Sequence, residues 1–169
     1  MLSKILYIIF FSTLFADSYN MQLLSFLEFE ENSSDITGFY QDGREFAVIG
    51  LQNAAAFVDI TNPYEPFEID RIEGSSSIWR DIKYWNRHVY IGTEAEDGIK
   101  IVNVDNPDEP TLINTITDVD NSHNIHIDNG YLYIVGADEH EIWIYDLADP
   151  ENPNLVGTWD EEYIHDLDV

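Results

Sequence analysis

Downstream of residue 34 the chain alternates short aromatic and β-branched runs with clusters of Asp, Asn, Gly and Pro, and the alternation repeats. Ala56 to Ile60 leads into Asn62, Pro63 and Pro66; Ile99 to Val104 leads into Asn106, Pro107 and Pro110; Ile142 to Leu147 leads into Asp149, Pro150 and Pro153. The first prolines lie 44 and then 43 residues apart. Asp35, Asp81, Asn124 and Asp166 each precede Ile or Leu at spacings of 46, 43 and 42, and the first three are followed by Phe46 to Gly50, His88 to Gly92 and Tyr131 to Gly136, runs that close on glycine. Each unit therefore predicts four strands, in the second unit 80–84, 88–93, 99–104 and 111–117, with turns at Trp85, Asn86, Arg87 and at Glu96, Asp97, Gly98. A period in the forties with several strands per unit is the signature of a β-propeller or a related array. The expected fold is all-β, a propeller of roughly 43-residue blades at about 34–78, 79–121 and 122–162, with the next opening at 163–169.

Composition supports strands over helices. Aromatics make up 14% of the chain, with ten Tyr and nine Phe, and such side chains suit pleated, half-buried surfaces. No stretch beyond the N-terminus carries a long 3.6-residue apolar period. Residues 1–18 read as a secretory signal: Lys4 is the positive end, Ile5 to Phe15 the apolar core and Ala16 to Ser18 the small-residue exit. Cleavage falls after Ser18 or Ala16, and an uncleaved N-terminal anchor is the alternative. The run is short for a bilayer, so the mature chain, which opens with a lead-in at 19–33, is expected to have no transmembrane span. With no cysteine there is neither a disulfide framework nor thiol chemistry. Export without disulfides points to a bacterial secreted or cell-surface protein.

The net charge of −26, from 33 acidic and 7 basic side chains, repels nucleic acid and anionic membrane and sets both aside as partners. It attracts divalent cations or basic partners, and equally suits simple solvation or salty surroundings. A propeller closes with about four to eight blades, whereas His165, Asp166, Leu167, Asp168 and Val169 only reopen a first strand. The expectation is an N-terminal fragment of a longer protein, with oligomeric completion of the ring as the alternative.

The stretch from Asp42, Gly43, Arg44, Glu45 and Phe46 to Gly50, then Ala56, Phe57, Val58, Asp59, Ile60 and Pro63, resembles the first repeat of the choice-of-anchor B family, whose repeats are of the LVIVD type. Trp79, Arg80, Asp81, Ile82 and Lys83 resemble the second landmark, Ser122, His123, Asn124 and Ile125 the third, and Tyr163, His165 and Asp166 the fourth. The resemblance implies a secreted or surface-displayed bacterial propeller held by a variable C-terminal anchor; it implies no agreed activity. Two departures stand out: Ala54 and Ala55 replace a common Gly-Thr pair, and the acidic loop Glu94, Ala95, Glu96, Asp97, Gly98 is short and lacks the usual His.

The Asn/Asp-Pro turns read as structural, because proline fixes φ while Asn or Asp caps the turn. The candidate site lies at the start of each first strand, where Arg80, His123 and His165 align and are followed by Asp81, Asn124 and Asp166. First strands line a propeller's axis, so these six residues should converge at the channel mouth, with Lys83, His126 and Asp168 two positions on, on the same side as Asp81, Asn124 and Asp166. Two readings stand. The groups hydrogen-bond neighbouring blades and water, or they bind a ligand, with His123, His165 and Asp166 as candidate ligands of a divalent cation and Arg80 favouring an anionic ligand. A second surface is the rim of Asp118, Asp120, Asp160, Glu161 and Glu162 beside Trp79, Trp159 and Tyr163, which suits calcium, a basic protein or a stacked carbohydrate, or is simply solvated. There is no G-x-S-x-G elbow, Walker loop or cysteine nucleophile. The leading expectation is a non-catalytic binding or adhesion scaffold, and the alternative a propeller hydrolase or lyase with a channel-mouth site.

Overall fold

The computed structural model describes residues 21–137, 141–162 and 164–167. The expected signal segment, Tyr163 and Asp168 lie outside the described residues, as do residues 138–140. Twelve strands and no helix are found among those described. Four form the first antiparallel sheet in chain order: β1 (Ser33–Gln41), β2 (Arg44–Leu51), β3 (Ala54–Asp59) and β4 (Phe67–Glu73). The second sheet holds β5 (Arg80–Trp85), β6 (His88–Thr93), β7 (Ile99–Asn103) and β8 (Thr111–Ile116). The third holds β9 (Asn124–Asp128), β10 (Tyr131–Val135), β11 (Ile142–Asp146) and β12 (Asn154–Trp159). β1 packs beside β5, and β5 beside β9. The first strands thus sit together on the inside, and the sheets are blades of a propeller-like array.

Local chemistry explains why each unit folds alike. The inner hairpins turn through Asp42-Gly43, Asn86-Arg87 and Asn129-Gly130, all six residues at positive φ. Both central residues of a two-residue hairpin must adopt that region when the turn follows the right-handed twist of its strands, which favours Asn, Asp and Gly. Trp85 closes β5 as the partner of His88 instead of opening the turn. At the outer turns, Asn62, Asn106 and Asp149 accept through Oδ1 from the amides of Tyr64 (3.2 Å), Asp108 (3.3 Å) and Glu151 (3.1 Å). The proline turns are therefore side-chain-capped corners, as expected of the Asn/Asp-Pro pattern.

A further regularity has no obvious trace in the sequence. The third and fourth strands of each blade slip register at the same place, after Phe57, Ile101 and Ile144. The extra residues opposite are Ile69, Ile113 and Val156. Bulges of this kind bend and twist a strand, here the outermost strand of each blade.

Hydrophobic burial lies mainly between blades. Phe39, Phe46, Val48 and Phe57 of the first pack with Ile82, Val89, Ile91 and Val102 of the second. Tyr90, Ile99 and Ile101 of the second pack with Ile125, Leu132, Ile134, Trp143 and Tyr145 of the third. Central strands β3 and β6 are buried along their whole length, whereas the outer strands β4, β8 and β12 are largely exposed or half-buried. This nearest-neighbour stacking fixes the spacing of the inner strands that carry the candidate residues.

Candidate functional site

The six candidate residues divide into two groups. Arg80 and Asp81 face into the seam between blades; His123, His165 and Asp166 gather at the mouth; Asn124 lies between these cases.

Arg80 opens β5 and is only 2% exposed. Its Nε donates to the Leu51 carbonyl at 2.8 Å, and Nη2 donates to the carbonyls of Gln52 (3.1 Å) and Ser75 (2.5 Å). One guanidinium thereby ties the second blade to the end of β2, to the β2–β3 connection and to the segment linking the two blades. Burial pulls its pKa below the ordinary arginine value, and the negative charges of Asp97 and Glu31 work against that fall. Asp97 braces the same corner, accepting from Ser75 N–H at 2.9 Å and pairing with Lys100 at 2.5 Å.

Asp81 is buried and accepts through Oδ2 from the Ile125 amide at 2.6 Å. One blade earlier, Asp35 accepts from the Ile82 amide at 3.0 Å. The Asp-Ile/Leu signature therefore works as a stitch, in which the carboxylate of one first strand receives a backbone N–H of the next blade's first strand. Lys83 reaches back to Asp81, on the side that strand alternation requires. Burial raises the Asp81 pKa, a hydrogen bond shared with Asp35 raises it further, and Lys83 and the Ile125 amide oppose both. Asn124 holds the corresponding place in the third blade, and its buried Oδ1 has no hydrogen-bond partner among the described residues. His126 is half-buried opposite Tyr133.

The mouth cluster is built differently. His123 lies just before β9, stacked on the Trp79 indole with ring centroids 4.9 Å apart and an interplanar angle of 4°. The Trp79 indole N–H donates to the His123 carbonyl at 2.5 Å. Gly136, at φ 62°, lies under this residue: a Cβ there would stand 2.6 Å from the His123 Cβ, so glycine is needed for both conformation and space. The His123 Nδ1 lies 2.7 Å from the Glu94 carboxylate. The His165 ring packs at 3.9 Å and 49° to His123, and its Nδ1 lies 2.7 Å from Asp166 Oδ2. One donor atom each of His123, His165 and Asp166 falls within 4.8 Å of the others. Two imidazoles and a carboxylate are the ligand types that zinc and related divalent ions take.

Sequence reasoning named Glu94 only as part of a short acidic loop and did not assign it to the site. It stands two residues after Gly92, in the loop that follows β6, and reaches the histidine of the next blade. The available signal was that loops leaving the second strand arrive at the next blade's first strand. Elsewhere on the rim, Asp120 contributes through its backbone, its carbonyl accepting from the amides of Asp97 and Gly98 at 2.9 Å each. Asp118, Asp120, Glu161 and Glu162 are exposed. Among the described residues no helix is long and apolar enough to cross a membrane.

No curated protein matches the chain. Residues 121–161, which include all four strands of the third sheet, match the model of the LVIVD repeat.

Proposed function

We propose that this chain is the propeller of an exported, surface-displayed bacterial protein of the choice-of-anchor B kind, and that it acts as a non-catalytic binding or adhesion scaffold. The observation that carries the reading is the engagement of Arg80 and Asp81 in inter-blade hydrogen bonds. Polar groups that a channel-mouth enzyme would aim at substrate instead hold the ring rigid, which leaves the loops free to vary and to bind. Two measurements test it together: protease shaving of intact cells that express the full-length chain, and a turnover screen with chromogenic esters, glycosides and uronate polymers. Loss of the protein on shaving, with no turnover, is the expected result. A protein retained in the cytosol, or turnover abolished by His123→Ala, overturns the proposal.

A second reading is favoured by the convergence of His123, His165 and Asp166. These residues would hold a divalent cation, with Glu94 orienting the His123 ring through Nδ1 as carboxylates orient ligating histidines elsewhere. Zinc titration by calorimetry, in excess magnesium to saturate the acidic surface, should give one tight site that is lost in His123→Ala and His165→Ala. Zinc binding unchanged by both substitutions removes the reading.

A further inference from the structure

At the end of the blades opposite the mouth, the β5–β6 and β9–β10 hairpins and the end of β11 border an open cavity of about 500 Å³. Trp85, Asn86, Asn129, Tyr131, Asp146 and Leu147 line it. We infer that this cavity is a binding site for a neutral saccharide. Its size falls within the usual span of small-ligand sites, and its chemistry selects the class.

Trp85 and Tyr131 supply aromatic surface, and buried Leu147 an apolar wall. Trp85 is half-buried against the core between the second and third blades, and Tyr131 is 39% exposed. The Gly130 carbonyl accepts from the Leu147 amide at 2.8 Å, which fixes the second hairpin against the strand end. Gly130 carries no side chain toward the indole; a Cβ there would lie 3.7 Å from Trp85 Cζ2.

The polar groups decide between ligand classes. Among the described residues the Trp85 indole N–H, the Asn86 carboxamide and the Tyr131 hydroxyl have no hydrogen-bond partner. Asp146 accepts from Ala148 N–H through Oδ1 at 2.8 Å. The wall carries one carboxylate and no cationic side chain, so phosphates, nucleotides and carboxylate ligands are disfavoured. A quaternary ammonium would meet the aromatic rings and Asp146, but it has no acceptor for the indole, amide and hydroxyl donors. A sugar has both an apolar C–H face for the aromatics and hydroxyls that donate and accept. That combination matches every group named.

The site is separate from the histidine cluster, because β5 runs from Arg80 at the mouth to Trp85 at the cavity. Saturation-transfer NMR of the full-length chain with D-glucose, D-galactose, D-mannose and N-acetyl-D-glucosamine tests the inference, with tetramethylammonium as the cationic control. At least one sugar should receive saturation through its C–H protons. Asn86→Gly removes the carboxamide while keeping the φ of 45° accessible, and Tyr131→Phe removes only the hydroxyl. Each should weaken that sugar by about three- to tenfold, the loss of one modest hydrogen bond, with the circular dichroism spectrum unchanged. No signal from any of the four sugars, a signal from tetramethylammonium alone, or sugar binding unaltered by both substitutions overturns it.

Discussion

Replacing Arg80 by methionine keeps much of the side chain's length and removes its five donors. The structure predicts a large loss. Three carbonyls, those of Leu51, Gln52 and Ser75, are left without the guanidinium at a buried seam. Hydrogen bonds from a charged donor contribute roughly 1.5–3 kcal/mol each, and the desolvation of the buried guanidinium offsets part of the total. A net cost of about 3–5 kcal/mol follows from three such bonds less the desolvation. At roughly 2–4 °C per kcal/mol for a chain of this size, the Tm should fall by about 10 °C. Arg80→Lys keeps the charge but cannot spread its donors over three acceptors, so its loss should be about half as large. Urea unfolding followed by tryptophan fluorescence, with near-ultraviolet circular dichroism to verify native packing, measures both. If Arg80→Met lies within about 0.5 kcal/mol of the parent, as an ordinary surface substitution would, Arg80 is not a latch.

Other predictions follow from the same geometry. Asp81→Ala should cost about 1–3 kcal/mol by orphaning the Ile125 amide, whereas Asn124→Ala, whose Oδ1 has no partner, should cost distinctly less in parallel urea titrations. The raised pKa of Asp81 means that the folded state binds its proton more tightly than the unfolded chain; this group's contribution to stability therefore grows as pH falls from the raised value toward the ordinary Asp range, and Asp81→Asn should abolish it. Asp97 behaves oppositely. Burial acts to raise its pKa, but Lys100, the Ser75 amide and Arg80 bring it below the ordinary value, so its contribution is complete above the ordinary range and is lost as pH falls through the depressed value; Asp97→Asn should flatten that acid limb. Arg87 holds a φ of 62° where the other two blades have glycine, so Arg87→Gly should raise the Tm in an Asp42→Asn, Asp105→Asn background, which removes the two ion pairs that would otherwise be lost.

The strand pattern was legible because each unit repeats its own chemistry. Hairpin residues at positive φ, capped proline corners and glycines closing the second strands all mark boundaries, and the strands expected in the second unit end within one residue of those found. Inter-blade contacts were much less legible. Arg80 aligns with His123 and His165 in the sequence, yet its longer side chain turns into the seam and finds backbone carbonyls, which leave no sequence signature. The role of Glu94, visible in the sequence only as one acid of a short loop, was hidden for a related reason: its partner lies 29 residues away, in another blade. The repeated register slip near Ile69, Ile113 and Val156 was also invisible, since an extra residue in an exposed outer strand alters neither the apolar period nor the composition.

The stitch from Asp35 to Ile82 and from Asp81 to Ile125 has a direction: a carboxylate on one blade receives an amide from the blade that follows. Such a contact is heterologous, with a donor edge and an acceptor edge that differ. Assemblies built this way either close when the rotations complete a turn or continue as a helix. Asn124 presents the next acceptor edge with its oxygen unmatched among the described residues. Any blade that supplies an inner-strand amide at that edge continues the same handedness, whether it comes from the same polypeptide or from another molecule. The chemistry that fixes the order of the blades thus also sets the rule by which the array could be extended.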